Sequence, residues 1–430
     1  MILERIMKRY EVFLAGPSGC LDRASLLARV SVLFLLAVLP FSHNAALKNF
    51  ALLGMLTAAI WLAAQRRLTV DWRSPILLAI GALLAVLGVT AALGTDPADS
   101  FAELRKHFLP GILLLLLIPQ VFAGSRLTRL VLAVIGLAFM LRAGLTLLEL
   151  GTYFPDLDSG RAEGNFIKGF SLDAGFYVPV LVGLLLLGGR WRLLAPVGLL
   201  AIFAAMLLTQ SRSPLVAVLA SLVVMLLVLR QWRPLVLSVI LVAVVATYLK
   251  VERPEIAQHF ASTFQAKNYE GASGVSGRAP IWKGVLEITA PRYLQGYGFG
   301  WKKLGRVAMN DGYVARWAAK KSDPYSEAQV SVFSQPPSKV NPHNLYLQIY
   351  FESGLLGLAA YGLMLLVLFW QSLKIAWCSK NESRIFAAIS LSYLTGHVIL
   401  GLANGLWLGL GPSLALVALL ETVRRSEKRA

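Results

Sequence analysis

The sequence predicts an all-α polytopic membrane protein, with about twelve transmembrane helices and one large loop on the side facing away from the cytoplasm. Three observations carry this prediction. The 430 residues are 57% hydrophobic and only 15% charged, where a soluble domain carries about a quarter charged residues. Apolar stretches close to the ~20 residues a helix needs to cross the hydrocarbon recur along the whole chain. Lys and Arg outnumber Asp and Glu by 41 to 23, and many of them gather in short clusters between those stretches, as cytoplasmic loops require. The net charge of +18 therefore does not point to nucleic acid, whose binders present a basic face with interleaved aromatic side chains on a soluble fold.

Taken in order, the candidate spans are 26–41, 45–64, 75–93, 109–123, 130–150, 172–189, 193–209, 214–229, 234–249, 344–372, 385–403 and 406–423. One side of the membrane collects Arg5, Lys8, Arg9, Arg23 and Arg29, then Arg66 and Arg67, Arg126 and Arg129, Arg190 and Arg192, Arg230 and Arg233, Lys374 and Arg384, and the tail Arg424, Arg425, Lys428 and Arg429. These clusters alternate with twelve spans without conflict, which puts both termini in the cytoplasm. The organisation is then nine helices with short loops over 1–249, a large loop with short helices over 250–343, and three helices with a basic tail over 344–430. Cys20 and Cys378 both fall on the reducing side, which argues against a structural disulfide. The first apolar run is followed by further spans and reads as an anchor rather than a cleaved leader.

The opposite side carries the polar elements. Residues 94–108 read as a short interfacial helix with Phe101, Leu104 and Phe108 on one face. Residues 151–171 form a polar loop holding Arg161, Asn165 and Lys168. Residues 210–213 are a tight turn, Gln210-Ser211-Arg212-Ser213. Inside the large loop, Pro280 starts a helix whose Ile281, Val285 and Ile288 share a face and which Pro291 ends. The run Gly296-Tyr297-Gly298-Phe299-Gly300 is a turn where backbone comes close to another element. Between 250 and 342 the loop has thirteen Lys or Arg against seven Asp or Glu, a surplus that an anionic ligand explains.

Two capped helix starts focus that expectation. Ser213 and Pro214 suit the N-cap and first position of a spanning helix, which places Arg212 at its positive end. Asn341 and Pro342 suit the same two positions in a later span, which puts His343 in its first turn. Helix N-termini with Arg212, Arg278 and Arg161 nearby make an anion site: free N–H groups and the dipole favour phosphate, and Arg matches its geometry. The same helix end disfavours a charged imidazole, and only a neutral His343 can accept a proton as a general base. The bland alternatives are a snorkelling interfacial Arg and a structural His. Asp156 and Asp158 match an Asp-x-Asp metal motif, but on the side where nucleotide sugars are absent. Arg142 and Glu149 share a helix face and suit an internal ion pair, and His397 suits a contact with a neighbouring helix. No phosphate-binding loop of the Walker type and no zinc spacing occurs, so nothing suggests ATP hydrolysis.

The Gln210-Ser-Arg-Ser-Pro214 turn, the Gly277-Arg278-Ala-Pro-Ile-Trp282 segment, the Gly-rich turn at 296–300 and the Pro342-His343-Asn344-Leu-Tyr346-Leu-Gln348 start of a late span resemble the O-antigen ligase and polymerase superfamily. The resemblance runs by motif from about residue 150 to the end. It implies a GT-C-like fold in the inner membrane of a Gram-negative cell, with the large loop in the periplasm. It implies transfer of a glycan from undecaprenyl diphosphate to a sugar of the lipid A–core oligosaccharide, with inversion and with no metal or other cofactor. His343 would deprotonate the acceptor hydroxyl, and Arg212 and Arg278 would hold the diphosphate. Arg161, Lys168, Gln210, Ser211, Asn344, Tyr346 and Gln348 would complete the substrate sites. A polymerase and a protein oligosaccharyltransferase are rivals within the superfamily. No Arg followed by Gly eleven residues later, a polymerase habit, starts at Arg161, Arg212, Arg278 or Arg306. A lipid-linked glycan transporter is the rival from another class, but it would show inverted repeats and helices broken near the midplane.

Overall fold

The computed structural model describes residues 22–41, 44–153, 165–167, 169–209, 211–262, 265, 271–320, 323–405 and 411–428. Every regular element among them is a helix. The first nine are long: α1 (Arg23–Val38), α2 (Ala45–Ala64), α3 (Pro75–Ala92), α4 (Pro97–Val121), α5 (Ser125–Tyr153), α6 (Phe170–Leu187), α7 (Trp191–Leu208), α8 (Arg212–Val228) and α9 (Trp232–Glu252). Six shorter ones follow: α10 (Pro254–Ala261), α11 (Gly274–Gly277), α12 (Ala279–Thr289), α13 (Lys303–Asn310), α14 (Tyr313–Ala318) and α15 (Pro324–Phe333). The chain closes with α16 (Leu345–Cys378), α17 (Asn381–Gly401) and α18 (Gly411–Glu427). A long helix overlies each of the twelve segments read from the sequence. Eight of these helices are long and apolar enough to cross a membrane, and α8 is a shorter apolar helix. The protein is therefore a multi-pass membrane protein.

Local chemistry sets the helix starts. Asp22, Ser74 and Asp96 accept hydrogen bonds from first-turn N–H groups, with Pro75 and Pro97 directly after two of them, where a missing N–H costs nothing. One expectation changes here. The interfacial helix over 94–108 is continuous with the following span as α4, with Pro110 inside it. Burial explains the continuity, because Phe108, Gly111, Leu114 and Leu115 form one inward stripe that extends across the proline. Arg142 also differs from expectation: it pairs with Asp173 on α6, while Glu149 accepts from the backbone N–H groups of Asn165, Phe166 and Ile167 at 2.7, 2.7 and 3.1 Å. Two helical turns separate Arg142 from Glu149 by about 10 Å along the axis, so a neighbouring helix offers the nearer partner. His397 meets the hydroxyl of Tyr361 on α16 at 2.6 Å, as its place in a span suggested.

Helix pairs α17 with α8, α18 with α4, α16 with α3, and α1 with α2 build the bundle. By contrast α9 buries no residue and shows large apolar side chains all round, which suits a helix bathed in hydrocarbon. The large loop has a core of its own from Ile281, Val285, Ile288, Leu304, Val307, Tyr313, Trp317, Phe333 and Val340. Each such side chain contributes about 1.5–3 kcal/mol by leaving water. Phe351 of α16 belongs to that core as well.

The α16 helix is broken. Gly354 has φ 63° and ψ −160° within it. Segment 293–298 fits into the gap: Tyr297 and Gly298 donate to the carbonyls of Phe351 and Glu352 at 2.8 and 2.9 Å, and Leu355 and Leu356 donate to those of Tyr293 and Leu294 at 2.8 and 3.2 Å. The backbone groups freed by the break are thus satisfied. A Cβ on Gly296 would lie 2.6 Å from the Phe351 carbonyl oxygen, so the expected close approach of the Gly-rich turn is to this helix.

Candidate functional site

The site gathers around the turn that ends α17. Leu402 and Ala403 each turn a carbonyl toward it. Arg278 Nη1 donates to Ala403 O at 2.7 Å, and Asn344 Nδ2 donates to Leu402 O at 3.1 Å. Tyr346 Oη donates to Val398 O at 2.8 Å. Trp282, one turn beyond Arg278 on α12, donates from Nε1 to Pro342 O at 3.0 Å. The Gly-Arg278-Ala-Pro-Ile-Trp282 segment and the Pro342-His343-Asn344 segment therefore meet in space.

The later helix starts at Leu345, not at Pro342. Asn344 is its N-cap, its Oδ1 accepting from the N–H groups of Tyr346 and Leu347 at 2.9 and 3.1 Å. Asn341 instead accepts from the His343 N–H at 2.8 Å, an Asx turn that holds the approach to the helix. His343 lies between the two and has φ 50°. That left-handed conformation costs about 1–2 kcal/mol for a side chain other than Gly. Burial, and then the Arg278 charge, hold the imidazole below its ordinary value of 6.5. The shift has the direction expected from the sequence, but its causes are burial and Arg278 rather than a helix end.

Arg212 reaches the same end of the bundle by helix pairing. Helices α8 and α17 run antiparallel, with Ser392 Oγ donating to Ser221 O at 2.8 Å and Gly396 packed on Ala217 and Ser221. Continuing that register places Arg212 level with Gly401, beside the turn that holds Arg278 and Asn344. The helix begins at Arg212 with Ser211 as N-cap, two residues before the start expected from Ser213 and Pro214. Pro214 at the third helical position is harmless because first-turn N–H groups have no helical partner. The guanidinium donates from Nη1 to Ser262 Oγ at 2.6 Å, at the end of α10.

Gln348 is buried, and its Nε2 donates to Glu352 Oε1 at 3.0 Å. It sits below the surface residues rather than among them. Arg161, Lys168 and Gln210 lie outside the described residues, as do Asp156, Asp158 and Cys20. Among the described residues no three His, Cys, Asp or Glu side chains gather to hold a metal ion. Sequence reasoning passed over Ser262, Glu352 and the 402–405 turn. The Asn404-Gly405 pair is a turn signal that marks the last of these, but carbonyl ligands carry no side-chain signature.

Residues 197–362 match the model of the O-antigen ligase family. Over that stretch the protein is similar to that family. No curated protein matches the chain. The O-antigen ligase match begins within α7 and ends within α16, so it takes in Arg212, Arg278 and His343 together with the broken helix and the core of the large loop. The 402–405 turn, which holds Arg278 and Asn344, lies beyond the matched segment.

Proposed function

We propose that the protein transfers an O-antigen glycan from undecaprenyl diphosphate to a sugar hydroxyl of the lipid A–core oligosaccharide, at the periplasmic face of the bacterial inner membrane. The observation that carries this reading is the meeting of a neutral-leaning His343 with Arg278 at one turn, with Arg212 level with it. The family match supports a lipid-linked glycan as substrate.

In this mechanism the acceptor oxygen attacks the anomeric carbon of the donor from the side opposite the diphosphate. The new C–O bond forms as the bond from that carbon to the diphosphate oxygen breaks, so the configuration inverts. The acceptor proton passes to His343, which its surroundings keep ready to receive it. The departing diphosphate gathers negative charge, and Arg212 and Arg278 stabilise it as it leaves. A diphosphate is already a good leaving group, so neither a nucleotide nor a metal is needed. Ser211, Asn344 and Tyr346 line the approaches, and Arg161, Lys168 and Gln210 complete the donor side. Gln348 supports the site from beneath. Membrane lipids surround a GT-C-like bundle of twelve spans, through which both lipid-linked substrates enter.

The test uses a Gram-negative strain lacking its own O-antigen ligase. Wild-type protein should restore a long-chain lipopolysaccharide ladder on a gel, while Arg212→Ala and His343→Ala at equal membrane abundance should not. A ladder restored equally by the His343 variant would sink the base assignment. Core capped by single repeat units, in the native background deleted for this protein, would favour a polymerase.

A further inference from the structure

Lys303 and Glu352 are both buried, at 1% and 0% exposure. A buried ammonium needs compensating negative charge and hydrogen bonds. Lys303 Nζ donates to Ser100 Oγ, lies 3.8 Å from Asp99 and is attracted by Glu352 and Asp96. Thus the first turn of α4, the start of α13 and the break in α16 share one charge cluster.

From Glu352 the contacts lead to the site. Gln348 Nε2 donates to Glu352 Oε1, which fixes the far oxygen of the Gln348 amide. That Oε1 is buried without a hydrogen-bond partner, and it faces Gly405: a Cβ there would lie 2.1 Å from it. Gly405 closes the turn whose carbonyls at Ala403 and Leu402 hold Arg278 and Asn344. None of these linking groups reaches the reacting atoms.

We propose that Lys303 and Glu352, buried charges on either side of Gly298, whose N–H donates to the Glu352 carbonyl at 2.9 Å and whose Cβ position lies 3.5 Å from Lys303 Nζ, are positioning residues that set, through Gln348 and Gly405, where the 402–405 turn holds Arg278 and Asn344. This deepens the transfer reaction proposed above and rests on it. A buried carboxylate that loses its cation must draw in water or another donor. The Gln348 amide then moves, and the turn moves with it. Displacements of about 1 Å in aligned groups cost roughly 10²-fold in turnover.

The experiment uses the purified full-length protein in lipid nanodiscs, with undecaprenyl diphosphate-linked glycan and lipid A–core acceptor. Wild type, Lys303→Met, Glu352→Gln and the double variant are compared for kcat, for KM and for hydrogen exchange over residues 402–405. Lys303→Met should lose roughly 10²-fold in kcat with little change in KM, and its turn amides should exchange faster. The double variant, which removes the stranded charge, should recover most of the kcat and the slow exchange. A double variant as slow as Lys303→Met, or a Lys303→Met protein with wild-type kcat and exchange, overturns the proposal. Should Lys303→Met fail to fold, Glu352→Gln decides alone: faster exchange with lowered kcat supports it, wild-type behaviour overturns it. Wild-type protein inactive with both substrates present counts against the transfer reaction, and the exchange comparison still judges the positioning pair.

Discussion

His343 shows how much of its chemistry one side chain owes to its neighbours. In the proposed reaction the imidazole serves as a base only while neutral, so activity should fall as pH drops through its pKa and stay flat above it. Burial and Arg278 both lower that pKa, which puts the acid limb of kcat/KM below 6.5. Removing one of the two causes has a predictable sign. In Arg278→Gln the residual activity should show its acid limb moved upward, toward 6.5. A limb that stays put, measured over pH 4 to 8 on membranes of equal protein content (an assay range of about four units around the ordinary His value), would separate the arginine from the histidine. Residues of this kind stood out in the sequence: Arg212 and His343 because each lies within two residues of a proline at an expected helix start, and Arg278 because it lies in the basic loop beside them. Their anchors did not, because Ala403 O and Leu402 O are main-chain groups and only the fold brings them across from 125 and 58 residues away.

Among the helices, α16 departs furthest from its sequence. Composition reads 344–372 as one uninterrupted span, and hydropathy cannot register a break whose backbone groups are satisfied from elsewhere. The signal lies in Glu352-Ser353-Gly354, polar and flexible residues inside an apolar run. Gly354→Ala tests how far the break is obligatory. An alanine at φ 63° is strained, and its Cβ would lie 2.3 Å from the Leu294 carbonyl group. The variant should lose at least about 2 kcal/mol, with 1–2 from the left-handed backbone alone. In detergent its midpoint of thermal unfolding should drop by several degrees, and a midpoint matching wild type would mean the helix straightens without cost. The short helices of the loop were legible where proline punctuates them, as at Pro280. The pairing of 293–298 with α16 was not, since it is made by backbone alone.

Across the whole molecule, stability and chemistry are kept at opposite ends. At the end of the bundle away from the site, Glu421 is fully buried. It accepts from Arg424 Nε and Nη2 at 2.7 Å each, from Arg425 Nε at 2.9 Å and from Ser74 Oγ at 2.7 Å. Arg424 also pairs with Asp71. This knot ties α18 to the loop before α3. Glu421→Ala takes from the buried Arg424 one of its two carboxylates and leaves Asp71 alone to balance it, a change that costs up to about 3–5 kcal/mol. The expected result is a much lower thermal midpoint with kcat per folded molecule unchanged. Equal losses of both would show that the two ends communicate. The long apolar helices were legible from the apolar runs, because bilayer thickness acts on sequence directly. Which helices touch was not, since apolar faces carry no address.

The contact between the α3–α4 junction and the Gly-rich turn has a consequence in time. Thr95 and Tyr297, joined through the Thr95 N–H at 3.1 Å, lie 202 residues apart. A ribosome adds about 5–20 residues per second, so the first partner waits about 10–40 seconds before the second emerges. Throughout that interval Ser100 and Asp99 face water, and Lys303 does not yet exist to meet them. The 402–405 turn, which holds Arg278 and Asn344, comes later still. Each newly made molecule thus lacks a complete site until nearly its whole length exists, and under the reaction proposed above it cannot transfer a glycan while half built.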